Sequence, residues 1–445
     1  MSLSGSRRSR ASRTQPPAPR RALCLRGRRS EPEEGAMVDF ADSPEQAAWR
    51  REVSEYIDAH LPAKLRDDAR YSGLGGPGSA SVWPDDEEHQ ALVKQFRRAL
   101  IERGWTAPGW PKEYGGADLS VEEQFILNEV LADFRAPGGG GVPDLVGATI
   151  LVHGSEEMKQ RFLPGLMRGE DRWAQGYSEP GAGSDLASLQ TRADRDGDDF
   201  VLNGQKIWTS FADQAKWLFG LFRTDPDAPK HRGITYLLLP MDTPGISVRT
   251  MEQINGNREF NEVFFEDARV PAQNVVGEVN RGWYVGATHL DFERSSIGSG
   301  VHILLTLDDL RRQIEGEAPA GMAARARADR APTLRGEIAD CYIEGHLARL
   351  FSYRVISLQL RGGIPNYEAS MQKLFTDVLV QHIARTAMKT LGLYGQLWDT
   401  DDPRTPLRAR WSRGYVGCVA ATIGGGTSEI QRNIIATRGL GLPRS

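Results

Sequence analysis

FVLNGQKIWTS, Phe200 to Ser210, is where the chain changes its period. Phe200-Val201-Leu202 and Gln205 to Thr209 read as two short strands with Asn203-Gly204 between them. Asn-Gly suits the left-handed dihedrals of a two-residue turn, so the stretch predicts a β-hairpin, with Trp208 just beyond it. Further strand candidates follow at Lys216 to Phe222, Gly233 to Leu239 and Glu262 to Phe265, set apart by Gly, Pro and Asp. Together they mark a β domain over residues 172–278.

The sequence on both sides is helical. Ser43-Pro44-Glu45-Gln46 reads as an N-cap, an N1 proline and a capping-box glutamine. Trp49, Val53, Tyr56 and Ile57 then fall on one helical stripe. Helical patterns return near 86–103, 120–134 and 155–168, interrupted by the turn GWPKEYGG, Gly109 to Gly116, and by a loop, YSGLGGPGSASV, at 71–82. This gives a helical domain over 37–171. Past Gly282 helices resume, with patterns at 334–361, 366–392, 407–421 and 427–438. GEAPAGMAARARADRAP, residues 316–332, reads as a loose connection within this third unit, 279–445. The expected class is mainly α with a central β domain.

The first 36 residues stand apart: arginine-rich, with no acid before residue 31. They read as a disordered tail or an extension from an upstream start, with a transit peptide as the other option. The remaining composition is that of a soluble globular chain, 40% apolar and 26% charged in 445 residues. A net charge of −4 gives no reason to expect a nucleic acid partner. No apolar run approaches the roughly 20 residues of a membrane span. The three cysteines, Cys24, Cys341 and Cys418, form no disulfide framework, which points to a reducing compartment and a cytoplasmic location. The eight histidines form no metal-binding pattern, so no metal is expected.

Two glycine-rich stretches point to a ligand. SEPGAGSD, Ser178 to Asp185, allows close backbone approach and offers the hydroxyls of Ser178 and Ser184. It lacks the GxGxxG spacing and the βαβ context of a dinucleotide fold. IGGGTSEIQRNIIATRG, Ile423 to Gly439, runs three glycines into a helix start at Thr427, where unpaired N–H groups face outward.

GWPKEYGG, SEPGAGSD, NGQKIWTS and GGGTSEIQR, in this order, give the chain a resemblance to the acyl-CoA dehydrogenase family over residues 38–443. The resemblance implies an N-terminal helical domain, a small β-barrel-like domain and a C-terminal four-helix bundle. It implies FAD as cofactor, an acyl-CoA substrate and an electron-transfer flavoprotein or similar acceptor. By position it also implies that Ser178, Gly183, Ser184, Trp208, Ser210 and Thr427 bind the cofactor. Ser184, Arg294 and Gly425 fall at substrate-side positions.

Many family members carry a catalytic glutamate immediately before Gly-Thr in the last motif; here that residue is Gly425. A second branch holds the base in an LDxER helix after the β domain, and this chain reads LDFER, Leu290 to Arg294. Glu293 is therefore the expected base, with Glu429 as the rival carboxylate, Asp291 structural, and His289 a packing or supporting group. The chemistry needs such a group, because an α-proton of a thioester is weakly acidic. The expected reaction is α,β-desaturation to a trans-2-enoyl-CoA. The alternatives are a same-fold flavin oxidase or monooxygenase, or a non-catalytic partner subunit.

Two family features that act between subunits are missing. The Arg-x-x-Phe-Gly sequence has no counterpart in LDDLRRQIEGEAPAG, and in the region of the Gln-x-x-Gly-Gly-x-Gly loop the chain reads TLGLYGQL, Thr390 to Leu397, which keeps Gly392 and Gly395 but not the glutamine at the expected place. The expected assembly is thus a homotetramer or a heterotetramer, and the one-sided loss favours a related partner chain. The resemblance links such heteromers to bulky CoA thioesters, including steroid side chains.

Overall fold

The computed structural model describes residues 42–66, 87–137, 142–294 and 299–443. The first 36 residues and the loop at 71–82 lie outside them.

Five helices come first: α1 Pro44–His60, α2 Glu87–Glu102, α3 Val121–Asp133, α4 Val142–His153 and α5 Glu156–Arg168. The Ser43 hydroxyl accepts from the Gln46 N–H while the Gln46 side chain accepts from the Ser43 N–H, which closes the expected capping box. Val53 and Ile57 are fully buried, with Trp49 and Tyr56 packed beside them. The GWPKEYGG turn brings Trp110 against α4, where Gly147 leaves room for the indole; a Cβ there would enter the ring.

Seven strands follow: β1 Trp173–Gly176, β2 Arg192–Asp196, β3 Asp199–Ser210, β4 Trp217–Arg223, β5 Ile234–Pro240, β6 Ile246–Thr250 and β7 Phe260–Pro271. The sheet runs β1-β4-β2-β3-β7-β6, with β5 on β4. β1 is parallel to β4, while β3–β7, β4–β5 and β6–β7 are antiparallel. One core lies inside the sheet, around Phe200, Leu218, Phe222 and Val263. A second lies between the sheet and the helices, around Val146, Ile150, Phe219 and Tyr236.

The predicted Asn203-Gly204 hairpin is not there. β3 runs straight through these residues, and the hairpin lies earlier, where β2 turns into β3 at Gly197. Asn203 and Gly204 instead form an irregularity in the β3–β7 ladder. The Asn203 amide exchanges hydrogen bonds with Asp267, donating to its carboxylate and accepting from its N–H, both at 3.0 Å. Gly204 has φ +142°, and a Cβ would meet Thr191. The glycine serves close chain approach rather than reversal.

The third unit holds α6 Gly282–Arg294, α7 Ser299–Glu315, α8 Pro319–Arg330, α9 Pro332–Leu360, α10 Tyr367–Leu391, α11 Arg410–Gly417 and α12 Ser428–Ile434. The expected loose connection at 316–332 is in fact mostly α8. Pro319 sits at its first turn, and Ala320, Gly321, Ala324 and Ala328 are buried. The continuous helix expected at 407–421 is broken, because Leu407, Arg408 and Ala409 all have positive φ before α11 begins.

Buried charge joins the helical units. Glu129 of α3 accepts from Arg50 of α1 at 3.0 Å and from Arg349 of α9 at 2.8 Å. Asp309 of α7 accepts from Arg135, at 2.7 Å, and from Arg410 of α11, all three largely shielded from solvent.

Candidate active site

The ladder between β3 and β7 breaks after Lys206↔Val263 and resumes at Thr209↔Asn261. In this bulge the Ile207 N–H turns to the Ser178 carbonyl at 2.9 Å, which ties NGQKIWTS to SEPGAGSD. Trp208 has φ +61°, an uncommon conformation for a residue with a Cβ, and it directs the indole outward. The ring is 58% exposed and meets Phe260 edge-on at 5.9 Å. An exposed tryptophan on a rigid, strained bulge forms a flat apolar platform.

The SEPGAGSD loop folds back on itself: the Glu179 and Ala182 backbones exchange hydrogen bonds at 3.1 and 3.0 Å. Its tip, Gly181 to Ser184, has open space beside Gly181 and Gly183 where side chains would otherwise stand. Ser178 and Ser210 are half-buried and Ser184 is exposed. Ser178, through its hydrogen bond from Ile207, and Ser210, two residues past Trp208, stand next to the platform, and the open glycine loop with Ser184 follows Ser178. That donor set fits a large planar cofactor with a polar edge and a phosphate tail.

Sequence reasoning missed the residues that hold this surface. Lys206 is completely buried, and its ammonium donates to the Glu179 carboxylate at 2.7 Å. Burial pulls the Lys206 pKa down to about 8 against the pull of Glu179. Burial acts to raise the Glu179 carboxyl, but Lys206 and the N–H groups of Gln190 and Thr191 outweigh it and hold it below its ordinary value. The signal was present in the sequence: an acid inside SEPGAGSD and a lysine inside the otherwise uncharged NGQKIWTS.

α6 carries the expected base. Gly282 opens the helix hard against the Thr235–Tyr236 backbone of β5, where a Cβ would clash. His289 is fully buried, within 3.4 Å of Thr149 on α4 and 3.3 Å of Gln175 on β1, and it packs near Tyr177 and Phe219. Burial holds its pKa down to about 4, so the ring is neutral near pH 7. One turn further along α4, His153 pairs with Thr288 at 2.9 Å. Glu293 and Arg294 occupy the last turn of α6, one turn beyond His289; their side chains and that of Asp291 lie outside the described residues.

Thr427 is the N-cap of α12, its hydroxyl accepting from the Ile430 N–H at 3.3 Å. Gly425 and Gly426 both have positive φ. α12 packs on α10, so Gly425 and Thr427 are carried by the helical unit, whereas Trp208 and Ser210 lie on β3 and Ser178 follows the end of β1. Glu429 points to solvent, 77% exposed, and pairs with Arg432 at 3.5 Å. In the TLGLYGQL region Lys389 pairs with Glu337 at 2.7 Å, and the Arg327 guanidinium lies over Gly392. Among the described residues no group of His, Cys, Asp and Glu is placed to hold a metal, and no helix is long and apolar enough to cross a membrane.

The acyl-CoA dehydrogenase N-terminal, middle and C-terminal domains match residues 78–170, 174–268 and 280–440. The acyl-CoA dehydrogenase IpdE1 of Mycobacterium tuberculosis is 37% identical over 400 residues, covering 89% of this chain and 97% of that protein. The chain belongs to the acyl-CoA dehydrogenase family. It is an oxidoreductase acting on acyl-CoA, and the family is one of flavoproteins. Among solved structures, the Tcur3481-Tcur3483 steroid ACAD superimposes with a TM-score of 0.76 at 32% identity, covering 92% of this chain and all of that one. The ChsE4-ChsE5 complex from Mycobacterium tuberculosis gives 0.74 at 32% identity, with the same coverage. The order of helical, β and helical units expected from the sequence is thus the fold of this family.

Proposed function

We propose that the chain is an FAD-dependent acyl-CoA dehydrogenase in which Glu293 removes the α-proton of the substrate. The observation that carries this is the placement of the two rival positions. Glu293 ends a helix fixed on β5 and packed on α4, while the C-terminal motif offers Gly425 and only an exposed carboxylate, Glu429. A base that acts on a weak carbon acid must be positioned by its element, and the exposed side of the first turn of α12 is a poor mount for one.

When bound, FAD would supply a two-electron acceptor that takes the β-hydrogen as hydride. The chain's own residues bind and orient it. Trp208 offers its face, Ser178 and Ser210 offer hydroxyls beside it, and Gly183 and Ser184 leave an open, polar approach for a phosphate arm. Thr427 adds a polar contact at the start of α12. Arg294 and Gly425 belong to the substrate side, the glycine leaving space where many relatives carry a carboxylate.

Heteromeric assembly with a related subunit is part of this reading. Where relatives offer a glutamine and paired glycines to a neighbour's cofactor, this chain has a Lys389–Glu337 pair and an arginine over Gly392. The two steroid-type and complex-forming structural neighbours support a bulky acyl group as substrate. Electron-transfer flavoprotein, or a similar acceptor, would reoxidise the cofactor. A cytoplasmic location agrees with Cys341 and Cys418 being buried free thiols.

The test is Glu293→Gln in the assembled enzyme. Turnover should fall by roughly 10²–10⁴-fold while flavin content stays at the wild-type level. Full activity in this variant would remove Glu293 as the base, and Glu429→Gln would then be the variant to measure.

A further inference from the structure

Among the described residues Lys206 is the one lysine with no exposed surface. Its ammonium donates to three oxygens: Glu179 Oε1 at 2.7 Å, the Leu221 carbonyl at 2.7 Å and the Tyr177 carbonyl at 3.3 Å. That uses all three of its N–H donors. Glu179 in turn takes the Gln190 N–H at 2.6 Å and the Thr191 N–H at 2.9 Å. The Phe222 ring lies 5.1 Å from the ammonium. A buried ion pair contributes little net stability, since apolar residues of the same volume often do as well. What it supplies is fixed geometry between two segments otherwise tied here by one backbone hydrogen bond, from the Ile207 N–H to the Ser178 carbonyl.

Such a gap exists here. β1 ends at Gly176, so Ser178 and Glu179 have left the sheet. The β3–β7 ladder lapses between Lys206 and Thr209, so Trp208 has no ladder to hold it. The ion pair joins the two segments where the sheet does not. Ser178 is the neighbour of Glu179, and Trp208 lies two residues beyond Lys206.

We propose that the Lys206–Glu179 pair is a positioning element that sets Ser178 and Trp208 relative to each other and so shapes the cofactor-facing surface. This goes beyond the FAD reading above and, for its cofactor arm, rests on it. Lys206 acts through its neighbours and is not a catalytic residue.

The experiment compares Lys206→Met, Lys206→Arg and Glu179→Gln in the full chain, with its related subunit where assembly requires one. Circular dichroism and assembly size serve as folding controls. FAD affinity and the visible spectrum of bound flavin are the first readouts. In the apoprotein, the readout is iodide quenching of Trp208, taken as the difference from a Trp208→Phe background. Folded Lys206→Met and Glu179→Gln proteins should bind FAD at least about ten-fold more weakly, with a shifted flavin spectrum and altered Trp208 quenching. Lys206→Arg, which keeps charge and donors, should recover part of each. A folded Lys206→Met protein with affinity within about two-fold of wild type and an unchanged spectrum overturns the proposal. If Lys206→Met does not fold, the same result in the near-isosteric Glu179→Gln overturns it. Wild-type protein that takes up no FAD, alone or assembled, defeats the FAD reading instead; unchanged Trp208 quenching in the apoprotein variants would then overturn the positioning role independently.

Discussion

His289 shows how one residue can tie the candidate site to pH. It is neutral because the fold buries it, its pKa held down to about 4 from the ordinary histidine value. Between those two values the unfolded chain binds a proton that the folded chain does not, so stability rises with pH across the window and is lost as pH falls. The loss between pH 6.5 and 4 from this group should be on the order of 3 kcal/mol. Chemical denaturation at several pH values checks this: His289→Gln should show a shallower acid loss than wild type. The residue itself was legible as a supporting group near LDFER. Its partners were not, because Thr149 and Gln175 are brought in from α4 and β1, more than a hundred positions away. Glu293 could be proposed as the base only because a short pattern and a glycine 132 positions later agree. Lys206 and Glu179 were passed over because lysine and glutamate are ordinarily surface residues.

At the scale of elements, glycine was the ambiguous letter. Asn203-Gly204 is the preferred hairpin dipeptide, yet here it sits within a strand, because the neighbouring chain at Thr191 needs the room. The opposite error occurred at 316–332, where proline and glycine suggested a loop. Proline is accepted in the first turn of a helix, and the alanines that follow are the best helix formers. Gly321 is there because its helix lies close to the Gln313 and Gly316 carbonyls. Gly147 of α4 makes the same point in measurable form. Alanine should favour a helix over glycine by about 1 kcal/mol, but at Gly147 it would press into the Trp110 ring. Gly147→Ala should therefore lower stability, by roughly 1–3 kcal/mol, as a shift in the denaturant midpoint with little change in slope. A stabilised variant would mean that Trp110 can move aside.

For the whole molecule, the order of domains was readable because helical and strand periods differ so plainly along the chain. How the units meet was not, since the contacts come from apolar and charged residues distant in sequence, such as Val146 with Val285 and Glu129 with Arg349. Assembly is the open arrangement, and cofactor content reports on it. Purified alone, the folded chain should hold well under one FAD per polypeptide, and co-expression with a related subunit should raise it; the visible spectrum measures both. Stoichiometric FAD in the isolated chain would show instead that a homo-oligomer completes its own sites. Within the chain, the helical units are joined through Asp309, with Arg135 on one side and Arg410 on the other. Replacing Asp309 leaves two buried arginines without their carboxylate, at several kcal/mol, whereas replacing either arginine leaves an Asp–Arg pair and replacing all three by apolar groups is tolerable. Drift at these positions therefore has an order: descendants of this sequence could shed one arginine and keep a matched pair, but those that lose the aspartate first pass through weaker proteins.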